Sequence, residues 1–173
     1  MLKKIVDGYE VSSSKALLAL VDYNGLANAR VFFRDKYSKD NFKTAAENIP
    51  GSASRPGTLS GALKKVREEV FTIQRGERPF AEDILVVMTV GDCDENVPEI
   101  KDEIDKLRER PVKIIVVAIR DEPVKPAEDK CKDIASGNNL LVMPKLGNEE
   151  KEAEKLPFIA AQGWFNLNPC LTG

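Results

Sequence analysis

Two nearly continuous apolar runs, residues 84–90 (ILVVMTV) and 112–119 (VKIIVVAI), constrain this chain more than any other feature. A strand with one face in water alternates apolar and polar residues, whereas a run without alternation needs cover on both faces. Between the two runs, Asn96 and Pro98 open a segment in which Ile100, Ile104 and Leu107 recur at helical spacing. Strand, helix and strand in this order read as a unit joining two parallel strands. The run 84–90 is expected to be central in its sheet.

The same alternation extends in both directions. Residues 15–22, apolar nearly throughout, and residues 29–33 flank Asn24-Gly25, which predicts a hairpin. Ser38 precedes Phe42, Ala45, Ala46 and Ile49, the pattern of a short amphipathic helix with a serine cap, closed by Pro50-Gly51. Residues 51–57 read as a loop. From Thr58 or Ser60 a stronger helix begins, with Leu59, Leu63, Val66 and Val70 on one face. Residues 126–135 read as a helix ended by Gly137, 140–143 as a last strand and 149–161 as a closing helix. The whole predicts an α/β chain with a mostly parallel sheet between helices, in which ligands bind beyond the carboxyl ends of the strands.

Composition removes several kinds of chemistry. The 173 residues, 42% of them hydrophobic, suffice for one core. With 26 Lys and Arg against 28 Asp and Glu, the net charge of −2 provides no basic field for nucleic acid or acidic lipid. No apolar run approaches the roughly 20 residues that span a bilayer, and the opening Met1-Leu2-Lys3-Lys4 is not followed by the apolar stretch of a signal peptide. Histidine is absent, so His-based triads and His-bearing zinc sites are excluded. The three cysteines, Cys93, Cys131 and Cys170, have no CxxC spacing, and their odd number leaves at least one unpaired within the chain. No GxGxxG and no GxxxxGK[ST] follows any predicted strand.

Three stretches carry a family resemblance: Tyr37-Ser38-Lys39-Asp40-Asn41-Phe42, then Gly57-Thr58-Leu59-Ser60-Gly61-Ala62-Leu63, then Val86-Val87-Met88-Thr89-Val90-Gly91-Asp92. In this order, with the right elements between them, the chain resembles the von Willebrand factor type A domain. The resemblance implies a three-layer α/β/α, Rossmann-like fold, here covering residues 1–165 with a tail at 166–173. It also implies a metal-ion-dependent adhesion site made from an Asp-x-Ser-x-Ser loop, a Thr and an Asp. Such hydroxyl and carboxylate oxygens suit octahedral Mg²⁺.

Set against that pattern, Thr58 matches the family's Thr, while Val90 stands where the Asp is expected. The Asp-x-Ser-x-Ser loop and the strand before it have no counterpart, so an amino-terminally truncated sheet is the expectation, closed by direct pairing or filled by strand exchange in a homodimer. Ser12-Ser13-Ser14 lacks the preceding Asp and leads into a strand, so it is not the metal loop. Asp92 and Asp94 offer a substitute acidic site, against the alternative of solvated loop carboxylates beside a helix start. For Thr58 the alternative is a plain helix cap. The expected cofactor is accordingly none, or weakly bound Mg²⁺.

The implied fold places Cys93 and Cys131 near one rim, where either a disulfide or two buried thiols can form. Cys170 falls where extracellular members carry a cysteine paired ahead of the first strand. Trp164 and Phe165 read as packing residues. The resemblance implies a secreted, non-catalytic module that binds a protein ligand, such as collagen or another matrix component. Charge balance and the short apolar runs predict no nucleic-acid partner and no membrane insertion. An intracellular assembly scaffold is the alternative, and a phosphate- or nucleotide-binding enzyme on a related sheet is a more distant one.

Overall fold

The computed structural model describes residues 6–35, 38–50, 57–91, 93, 97–120 and 129–143. The chain forms two compact units, residues 1–80 and 81–173. The expected closing helix at 149–161, the pair Trp164 and Phe165, Cys170 and the tail lie outside the described residues.

In the first unit, β1 (Leu20–Asp22) and β2 (Asn28–Val31) form an antiparallel hairpin around the Asn24-Gly25 turn, where Gly25 adopts φ 101°. Both strands are shorter than the apolar pattern predicts. Residues 11–16 fold back on themselves through a Val11–Ala16 bridge, and the Arg78 guanidinium donates to the carbonyls of Ser13 (3.3 Å) and Lys15 (2.5 Å). Those carbonyls thereby bind a side chain instead of a neighbouring strand. At the other end, the Phe32 amide donates to the Asp35 carboxylate (2.8 Å) while the Asp35 amide donates to the Phe32 carbonyl (2.9 Å), and this reciprocal turn stops β2.

α1 (Lys39–Glu47) begins at Ser38, whose hydroxyl accepts from the Asn41 amide at 3.4 Å. Its Phe42 joins Val6, Leu20 and Val31 in the core of this unit, with Leu18, Ala45, Ala46 and Ile49 packed around them. α2 (Leu59–Lys65) continues into a π-helical turn at Val66–Val70, closed by the Phe71 amide donating to the Val66 carbonyl at 2.9 Å. The expected face Leu59, Leu63, Val66 and Val70 is buried. The wider turn also buries Phe71, which stacks on Phe33 with ring centroids 5.9 Å apart.

The second unit contains β3 (Asp83–Val90), α3 (Val97–Arg108), β4 (Val112–Ile119), α4 (Cys131–Ile134) and β5 (Leu140–Met143). The strands form a parallel sheet in the order β3-β4-β5. Ile100, Ile104 and Leu107 of α3 are buried as their spacing requires. The central position expected for 84–90 belongs instead to β4 among the described residues: Ile114 to Ala118 are at most 2% exposed, while β3 is largely half-buried. Hydrogen-bonded neighbours on both sides bury β4, and the apolar pattern of β3 and β4 is too alike to separate them. The helix expected over 126–135 is confined, among the described residues, to the four residues of α4. No helix among the described residues is long and apolar enough to cross a membrane.

Candidate functional site

Thr58 takes an extended conformation (φ −105°, ψ 134°) immediately before α2, and its Oγ1 accepts from the Gly61 amide at 3.1 Å. Gly61 leaves room for this cap, since a Cβ there would lie 2.7 Å from Thr58 Oγ1. Gly57 is needed for a different reason. A Cβ on it would fall 1.4 Å from the Tyr23 carbonyl oxygen and 2.5 Å from that of Gly25, so the loop entering α2 passes directly against the hairpin backbone. The hairpin is itself braced by the Asn24 and Asn28 side-chain amides, which donate to the carbonyls of Pro50 and Leu26, each at 2.7 Å. The Gly-Thr sequence is thus explained by close backbone approach and helix capping before any ligand is considered.

At the carboxyl end of β3, Val90 is 65% exposed and Gly91 turns the chain with φ 91°, its amide donating to the Ile119 carbonyl at 2.9 Å. An isopropyl group supplies no oxygen to a cation. Asp92 and Asp94 lie outside the described residues. Among the described residues no group of three or more His, Cys, Asp or Glu could hold a metal ion. Of the candidate positions, Thr58 presents a hydroxyl already engaged in the helix cap, and Val90 presents an apolar side chain.

The same end of this sheet carries a covalent link. Cys93 and Cys131 are joined as a disulfide with Cα atoms 5.1 Å apart, both buried, across a sequence separation of 38. Beneath α4 lies a feature that sequence reading missed. Arg120, the residue after β4, and Asp129 are 7% and 8% exposed and form an ion pair, with Nη1 donating to Oδ1 at 3.3 Å and Nη2 to Oδ2. Asp129 Oδ1 also accepts from the Cys131 amide at 3.1 Å, and the Arg120 amide donates to the Met143 carbonyl at 2.8 Å. The available sequence signal was a lone Arg directly after an apolar strand, and nothing local names its partner.

The family model described as von Willebrand factor type A domain matches residues 1–152. The chain belongs to that family. Human matrilin-1 is 29% identical over 136 residues, 78% of this chain and 26% of matrilin-1, so the chain spans about a quarter of the length of this curated relative. Among solved structures, proximal thread matrix protein 1 from the mussel byssus superposes with a TM-score of 0.77 at 20% identity, covering 92% of this chain and 40% of that one. A structure of the same mussel protein with a zinc-occupied MIDAS motif gives 0.74. The manganese-loaded TRAP protein of Plasmodium vivax gives 0.67 at 16% identity, covering 91% of this chain and 63% of that one. At these identities the structural likeness establishes the α/β, Rossmann-like fold of the von Willebrand factor type A domain.

Proposed function

We propose that the chain is a non-catalytic adhesion module of the extracellular matrix, binding a protein ligand such as collagen or another matrix component through the carboxyl rim of its sheet. The observation that carries this reading is membership of the von Willebrand factor type A family together with sequence similarity to matrilin-1. The fold shared with a matrix protein of the mussel byssus supports it. No nucleotide-binding motif follows a predicted strand, and the absence of histidine removes the commonest general base. The buried Cys93–Cys131 disulfide favours an oxidising, extracellular setting over an intracellular scaffold. Mass spectrometry of the protein isolated under non-reducing conditions separates these two readings, because free thiols at both positions would remove the support for secretion.

The adhesion site on this reading is degenerate. Thr58 acts as a helix cap and Val90 contributes an apolar surface where an anionic ligand is expected. Binding to immobilised matrix proteins, collagen included, is then expected to be the same in EDTA as in millimolar Mg²⁺. Binding abolished by EDTA would overturn the degenerate site, and absence of binding to every matrix component tested would overturn the ligand class.

A further inference from the structure

The disulfide and the buried ion pair are contiguous. Asp129 accepts from both the Arg120 guanidinium and the Cys131 amide, so one carboxylate fixes the backbone that carries one of the two sulfurs. Arg120 is tied in turn to β5 through its amide bond to Met143. Cys93 follows β3, Arg120 follows β4 and Met143 ends β5, so the cluster fastens the carboxyl ends of three neighbouring strands. We propose that the Arg120–Asp129 pair is a gate on the Cys93–Cys131 disulfide, making the carboxyl rim of this sheet a redox-responsive clasp that opens only when the ion pair separates.

The chemistry sets the order of events. A dithiol reductant must bring one thiolate in line with a cysteine sulfur, displace the other as thiolate, and then close its own disulfide on the mixed intermediate. The S–S bond of the protein is broken and one S–S bond forms in the reductant, with two electrons and two protons passing to Cys93 and Cys131. Neither cysteine offers the needed approach, since Cys93 is 3% exposed and Cys131 is 0% exposed. Exposing Cys131 requires α4 to lift, and α4 is held by the Asp129 bond to its first amide, by the Ser136 amide on the Ile114 carbonyl (2.8 Å), and by Arg108 on the carbonyls of residues 133–135. Of these restraints the Asp129 contact is the one that also engages a buried charge. Separation of that pair is therefore the step expected to limit access, because each charge loses its partner in a poorly hydrated place. The proposal does not depend on the identity of the ligand bound by the chain.

The test is the rate at which dithiothreitol reduces the folded chain, followed by alkylation and mass spectrometry at Cys93 and Cys131. The wild type is expected to react at least about tenfold more slowly than Asp129→Asn, in which an amide oxygen still accepts from Cys131 but the charge is gone, while Asp129→Glu recovers part of the protection. Repeating the wild-type rate at several urea concentrations below the unfolding transition guards against a variant that merely unfolds. A weak urea dependence marks a local opening, and a dependence as steep as that of global unfolding overturns the gate. Hydrogen exchange gives a readout independent of the variants: reduction should deprotect residues 131–136 and leave the amides of 114–117 protected. Equal rates in wild type and Asp129→Asn, or cysteines already free in the isolated protein, would also refute the proposal.

Discussion

Replacing Thr58 with alanine separates a structural role from a metal-binding one. The hydroxyl accepts from Gly61 at 3.1 Å and so satisfies one of the amides left open at the start of α2. Losing such a cap costs about 1 kcal/mol, within a range of roughly 0.5–2. For a chain of 173 residues this lowers the melting temperature by about 2–4 °C, and Thr58→Ser should recover nearly all of it. Mg²⁺ bound only to the folded state would add RT ln(1 + [Mg²⁺]/Kd). At about 1 mM Mg²⁺ a site with a Kd of about 10 μM adds about 2.7 kcal/mol, whereas one with a Kd of about 10 mM adds under about 0.1 kcal/mol. Thermal melts of wild type and Thr58→Ala with and without Mg²⁺ are therefore expected to show the cap penalty alone, equal in both buffers. A wild-type rise of 5 °C or more in about 1 mM Mg²⁺, abolished in Thr58→Ala, would refute the degenerate site and bring Asp92 or Asp94 into the shell.

Other outcomes follow from single contacts. Leu107→Ala should lower the free energy of urea unfolding by about 2–5 kcal/mol, because Leu107 is 0% exposed and its loss opens a cavity in the second unit. Gly57→Ala should displace the hairpin or the loop entering α2, seen as amide shifts at residues 23–25, since its Cβ would overlap the Tyr23 carbonyl; an unchanged spectrum would contradict the observed approach. The Asp7 carboxyl is held below its usual value of 3.8, chiefly by a hydrogen bond from the Lys43 ammonium, with the charges of Lys43 and Lys39 adding to it. A depressed folded-state value makes this contact stabilising above about pH 4 and progressively lost as pH falls through the folded-state value. Lys43→Met should move the Asp7 titration upward by NMR.

Local patterns were readable wherever a single element sets them. The spacing of Ile100, Ile104 and Leu107 fixed the buried face of α3, and Ser38 and Thr58 marked two helix starts because capping needs only a side-chain oxygen and an amide a turn away. The order of the motifs around Ser38, Thr58 and Val90 sufficed for the family, which the match over residues 1–152 shows. That residue 90 is a valine, with no side-chain oxygen, was equally visible, since it depends on residue type alone.

What the tertiary structure decided are contacts between residues distant in the chain. The apolar runs of β3 and β4 look alike, and only the sheet order buries one more than the other. In the first unit the Arg78 guanidinium binds carbonyls 65 and 63 residues earlier, a contact that no local pattern announces. The π-helical turn at Val66–Val70 accompanies the stacking of Phe71 on Phe33, whereas helical periodicity alone permits a regular α-helix there. The Arg120–Asp129 pair and the Cys93–Cys131 disulfide join residues that no local pattern relates. Propensity and periodicity act within a few residues, whereas a buried charge or thiol finds its partner only after the crossover connections have brought the strand ends together.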